Sequence, residues 1–167
     1  MQEAGSLEND VLVVGFGNPL AGDDGAGPAV VEALRRLGLP PGLRAEDGES
    51  DSLRLPSLWR GESEIWLVDA LSKGAPPGTV TRLEHDEILA IPQRHATAHL
   101  LSLPESLRLI ALGWPDMAGV RYRLWGINPA SVAILSPMSP AVEAAVQAVA
   151  HEILAELAAR GLNPRRG

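Results

Sequence analysis

The chain has 167 residues, 46% of them hydrophobic and 21% charged, and it contains no cysteine. That is the length of one ordinary domain, which buries roughly 68–70% of the surface of its unfolded chain; a disulfide framework, a thiolate metal site and a cysteine nucleophile are excluded together. Fourteen Lys+Arg against 21 Asp+Glu leave a net charge of −7, a field that repels phosphate backbones and speaks against a nucleic-acid partner.

The first ten residues, MQEAGSLEND, are acidic and lack the basic start of a secretory signal. No apolar run approaches the about 20 residues that a bilayer requires, so a cytoplasmic protein with no membrane partner is expected. Residues 11–16 (VLVVGF) form a short continuous apolar run, the pattern of a strand buried on both faces. Val30, Val31, Leu34 and Leu37 then recur at helical spacing, with Glu32, Arg35 and Arg36 opposite. This predicts a helix that starts near Asp23 or Asp24 and stops at Gly38 and Pro40-Pro41.

A weaker strand is expected over 43–47 and a short helix over 53–59. A second strongly apolar strand covers 65–68 and ends at Asp69. GAPPG at 74–78 is a turn, followed by an edge strand over 79–83 and a polar stretch with Pro92. A helix is expected over 99–112, with Pro104 kinking it or sitting in its first turn. A strand over 120–127 and a last helix over 141–159, striped by Val142, Val146, Val149, Ile153 and Leu157, complete the pattern. Strands separated by helices imply a mostly parallel sheet with helices on both faces, a three-layer α/β architecture. The chain reads as one domain over 1–167, with 1–9 and 162–167 expected to be flexible.

In such sheets ligands bind beyond the carboxyl ends of the strands, so the residues that follow each apolar run carry the information. Gly15-Phe16-Gly17 begins like a dinucleotide fingerprint, but Leu20 stands at the third glycine position. Asp23 and Asp24 would also repel a phosphate at the helix N-terminus. Both acids have a local explanation, one capping the helix and the other favoured by its dipole, and Asp69 is explicable as a turn acid. His151 reads as a surface residue and His85, between Glu84 and Asp86, as structural or solvated. His95 and His99, four apart, would share a helix face, a spacing that by itself is more often incidental than a metal site. Together, two strand ends deliver carboxylates and a loop-to-helix junction delivers an imidazole, a ligand set suited to Ni, Zn, Mn or Fe. No serine sits in a G-x-S-x-G elbow.

Four segments carry a family resemblance: VLVVGFGNPLAGDDGAGPAVVEAL at 11–34, WLVDALSKGAPPGTVTRL at 66–83, ATAHLLSLPESLRL at 96–109 and LWGINPASVAILSPMSPAVEAAV at 124–146. Together they resemble the hydrogenase maturation endopeptidases, over about three quarters of the chain. The resemblance implies a twisted five-stranded sheet between helices. It also implies an endopeptidase that removes the C-terminal extension of a nickel–iron hydrogenase large-subunit precursor after nickel insertion. The family's metal-recognising acid, acid and histidine fall by position on Asp24, Asp69 and His99, with His95 as the alternative to the last. These three are then the candidate catalytic and metal-binding residues. The nickel would arrive with the precursor, and no tightly bound intrinsic cofactor is expected.

The chain departs from the family in three places. Aspartate replaces the glutamate of some members at position 24, Asp47-Gly48-Glu49-Ser50 keeps only part of a D-G-G-[ST] stretch, and Asp69-Ala70-Leu71-Ser72 lacks a second acid. Two rival functions remain at this point. One is a non-catalytic chaperone that checks the large subunit for nickel, since it would need the same triad. The other is a peptidyl-tRNA hydrolase-like enzyme, which shares the opening G-x-G-N-P but not Asp23-Asp24-Gly25, and which the net charge of −7 disfavours.

Overall fold

The structure, a computed structural model, describes residues 10–92 and 102–161. Its centre is a five-stranded sheet in the order β2-β1-β3-β5-β4. The strands are β1 (Val11–Phe16), β2 (Leu43–Glu49), β3 (Glu64–Ala70), β4 (Val80–Glu84) and β5 (Arg121–Ile127). All neighbours pair in parallel except β4, which runs antiparallel to β5 at the edge. This is the expected three-layer α/β architecture, including the edge position of the fourth strand.

Period-two alternation divides the sheet's side chains between two cores. Val11, Val13, Trp66, Val68, Trp125 and Ile127 face α1 (Ala26–Leu37) and α5 (Pro140–Ala159). Leu12, Val14, Phe16, Ile65, Leu67, Tyr122 and Leu124 face the other layer. That layer holds α2 (Leu55–Leu58), α3 (His85–Leu89) and α4 (Leu103–Gly113). Every side chain of β1 is buried, as its unbroken apolar run demands. No described helix is long and apolar enough to cross a membrane.

Three elements differ from the sequence reading. The first helix begins at Ala26, after a separate 3₁₀ turn over Gly22–Gly25 that holds both acids; its N-cap is Gly25, so neither aspartate caps it. The helix expected from residue 99 begins at Leu103, where Ser102 and Glu105 form a capping box and Pro104 occupies the first turn. The stretch read as polar after β4 contains α3, closed by a second capping box between Glu84 and Glu87. A Glu three residues ahead of Glu, before Ile88-Leu89, was the available signal.

His85 opens α3 and has a structural role. Its Nδ1 accepts the Tyr122 amide at 3.1 Å and its ring stacks on that of Tyr122. His151 is exposed on α5.

Candidate functional site

The sheet changes direction of growth at β1. The chain passes from β1 to β2 on one side and returns to place β3 on the other. Crevices in open α/β sheets form at such a point, beyond the carboxyl ends of the strands. The β1–β3 ladder stops at the Gly15–Val68 pair, while β3 continues against β5 to Ala70. Asp69 therefore lies inside the last turn-out of its strand and not after it, on the edge that β1 has vacated. Counting by twos, Asp69 shares the face of Ile65 and Leu67, the side of the sheet that packs on α4.

Asp24 reaches the same place from the other strand. Gly17 has φ +139°, and a Cβ there would overlap the Asp24 carbonyl oxygen, so only glycine lets the loop fold back on itself. The fold-back puts the Asn18 amide on Asp24 Oδ2 at 2.9 Å, and Asn18 Oδ1 in turn accepts the Leu20 amide at 3.0 Å. Gly27 brings the start of α1 down onto the strands, since a Cβ there would overlap the Phe16 carbonyl and stand 2.5 Å from that of Val68.

The adjacent acids of the turn have opposite tasks. Asp23 is 1% exposed and points toward α5. One of its oxygens accepts the Ala130 amide at 2.7 Å, the Ser131 amide at 3.4 Å and the Ser139 hydroxyl at 2.9 Å; the other accepts the Ser139 amide at 2.7 Å. Burial works to raise its pKa, but these four donors outweigh burial and hold the carboxyl below the usual range. Asp23 is thus a structural anion. Asp24 is partly exposed and faces the crevice.

Asp24 and Asp69 line one cavity of about 190 Å³, together with Phe16, Gly17, Ser50, Ser52 and Leu103 among the described residues. Burial, and then the neighbouring Asp24 carboxylate, push the Asp69 carboxyl up to about 7, against the pull of a hydrogen bond from the Ala70 amide. A larger hollow of about 760 Å³ adjoins, sharing Asp69 and Leu103 and extending past Ser72 and Lys73 to Pro92 and Ser102. Lys73 is the one lysine of the chain. Its amide donates to Asn128 Oδ1 at 2.8 Å, and Asn128 Nδ2 donates to the Ala75 carbonyl at 2.8 Å, so the loop after β3 is clamped to the loop after β5.

Of the three candidate residues, the fold brings Asp24 and Asp69 together. His99 lies outside the described residues, as does His95. Among the described residues no three His, Asp or Glu side chains converge as a metal cluster. Sequence reasoning missed the anchoring role of Asp23 and the clamp at Asn128, whose partners lie more than fifty residues away in the chain.

A family model described as HycI, hydrogenase maturation protease, matches residues 28–156, beginning just past the acidic turn. The hydrogenase 2 maturation protease of Escherichia coli is 30% identical over 154 residues, which cover 91% of this chain and 93% of the relative. Among solved structures, the hydrogenase maturating endopeptidase HybD from E. coli superposes with a TM-score of 0.76 at 27% identity, covering 91% of this chain and 94% of that one. The [NiFe] hydrogenase maturation protease HybD from Thermococcus kodakarensis gives a TM-score of 0.72 at 30% identity, covering 89% of this chain and 99% of its own.

Proposed function

The chain belongs to the hydrogenase maturation protease family, and from that premise we propose that it is the endopeptidase that removes the C-terminal extension of a nickel–iron hydrogenase large-subunit precursor after nickel insertion, in the cytoplasm. The observation that carries this reading is the pair of carboxylates, Asp24 and Asp69, delivered from two strand ends into one cavity. Burial first, and then the neighbouring Asp24 charge, raise the Asp69 pKa, so two ionised carboxylates in this cavity are disfavoured. A cation relieves that conflict.

In this proposal the cation is the nickel of the precursor, and it belongs to the substrate. Asp24, Asp69 and His99 supply oxygen and nitrogen donors to it, a hard-to-borderline set that nickel accepts. The triad thereby orients the scissile segment, turning a bimolecular encounter into a positioned one. A nickel-free precursor lacks this handle and leaves the two acids uncompensated, so selectivity for the finished metal centre follows from the charge arrangement. In the same proposal an aspartate freed from its proton by the arriving ion accepts one from an attacking water.

The test is incubation with nickel-loaded and nickel-free precursor, followed by mass analysis of the C-terminus. Trimming of the loaded form alone is expected, even with a mild chelator present. Efficient cutting of the nickel-free form would show that recognition does not run through the metal. Binding of the loaded form with no change in mass would make the protein a chaperone and not a protease.

A further inference from the structure

Four large aliphatic side chains stand in the open on loops hydrogen-bonded to the turn that carries Asp24. Leu20 is 63% exposed, Val132 51%, Ile134 67% and Leu135 81%. They belong to two loops: residues 18–22 after β1, and residues 128–139 between β5 and α5. The loops are joined, because the Leu135 amide donates to the Leu20 carbonyl at 2.6 Å and the Asp23 amide donates to the Ser131 carbonyl at 2.9 Å. Asp23 holds the longer loop from below through Ala130, Ser131 and Ser139. Asn18 connects this surface to the site, with its amide on Asp24 and its side chain on the Leu20 amide.

Two features separate this patch from ordinary exposed surface. Neither stretch contains a charged residue, in a chain that is 21% charged; depletion of charge with retained apolar area marks the centre of a protein interface. Leu135 also has φ +62°, a left-handed conformation unfavourable for a leucine. It is held there by its own amide hydrogen bond, and it presents its side chain outward. Backbone strain that places an apolar group in solvent gives the free protein nothing.

We propose that these two loops form a preorganised apolar docking surface for the folded body of the large-subunit precursor, seated beside the crevice that receives its C-terminal segment. This rests on the function proposed above. A protein whose terminal segment reaches Asp24 passes close to Asn18, which bonds Asp24 through its amide and the Leu20 amide through its side chain, so its folded body is brought to this patch. Since the loops are already pinned by Asp23 and by the Leu135–Leu20 bond, docking orders little that is not ordered in the free enzyme.

Two variants test it. Leu135→Asn removes the apolar side chain and suits the left-handed backbone better than leucine; Ile134→Asp places a charge at the centre of the patch. With nickel-loaded precursor, each is expected to raise KM about tenfold with kcat and melting temperature unchanged or, for Leu135→Asn, with melting raised. Wild-type kcat/KM in both variants would overturn the proposal. So would a melting loss that parallels the loss of cleavage, since the side chains would then be structural. Sedimentation showing a wild-type dimer that both variants dissociate, with cleavage preserved, would assign the patch to a second copy and overturn it as well. If the wild type does not cleave, the processing function falls, and direct binding of the precursor decides the docking surface: binding lost in both variants supports it, and no binding by the wild type overturns it.

Discussion

Asp23 accepts four hydrogen bonds from donors more than a hundred positions away in the chain. Hydrogen bonds to a buried charge contribute about 1.5–3 kcal/mol each without adding fully. Asp23→Ala is therefore expected to lower stability by about 3 kcal/mol or more in urea denaturation. Because its folded pKa lies below the ordinary 3.8, its contribution is present above that pH and is lost as the pH falls through the folded value.

Among the described residues Asp24 accepts one hydrogen bond, from the Asn18 amide. Asp24→Asn is expected to stay within about 0.5 kcal/mol of the wild type in the same assay while abolishing processing of the loaded precursor. Asp69 has the opposite linkage to Asp23. Its folded pKa of about 7 exceeds the ordinary 3.8, so the folded state binds the proton more tightly and stability falls as the pH rises from about 4 through 7. In the absence of added metal, Asp69→Asn should melt above the wild type at pH 8, with the gap closing by pH 5. A constant gap across that range would remove the burial and the Asp24 repulsion as its cause.

At the scale of elements, the crevice depends on how closely α1 approaches β1 and β3. A Cβ on Gly27 meets two backbone carbonyls that no rotamer change can move aside. Gly27→Ala is expected to lose more than about 2 kcal/mol, or to fail to fold. Gly113, at the end of α4, meets nothing within 4 Å. There the same substitution restricts the unfolded chain and should add about 0.4–1 kcal/mol. Opposite signs for two Gly→Ala changes in thermal melts would separate close approach from helix propensity.

For the whole molecule, two cores share the same strands. Ile110, on α4, is fully buried in one, and Ile153, on α5, in the other. Truncation of either to alanine is expected to cost about 2–5 kcal/mol. Because β1, β3 and β5 belong to both cores, each change should shift a single transition seen alike by near- and far-ultraviolet circular dichroism. Separate transitions would mean that the two faces unfold independently.

The sequence by itself determined the layers and the exit points of the strands. The periods of two and 3.6 are local, and the run at 11–16, the stripe at 30–37 and the acid after 65–68 each declare their element without reference to the rest of the chain. Family membership was legible in the same way, from contiguous segments. Tertiary structure alone decided which of two adjacent acids faces the crevice. Asp23 and Asp24 are equivalent as helix-start residues; what separates them is a set of donors at positions 130, 131 and 139 that only the folded chain brings near. The raised pKa of Asp69 likewise comes from burial and from a charge on another strand's loop. Such effects depend on distance in space, and no spacing along the chain encodes them.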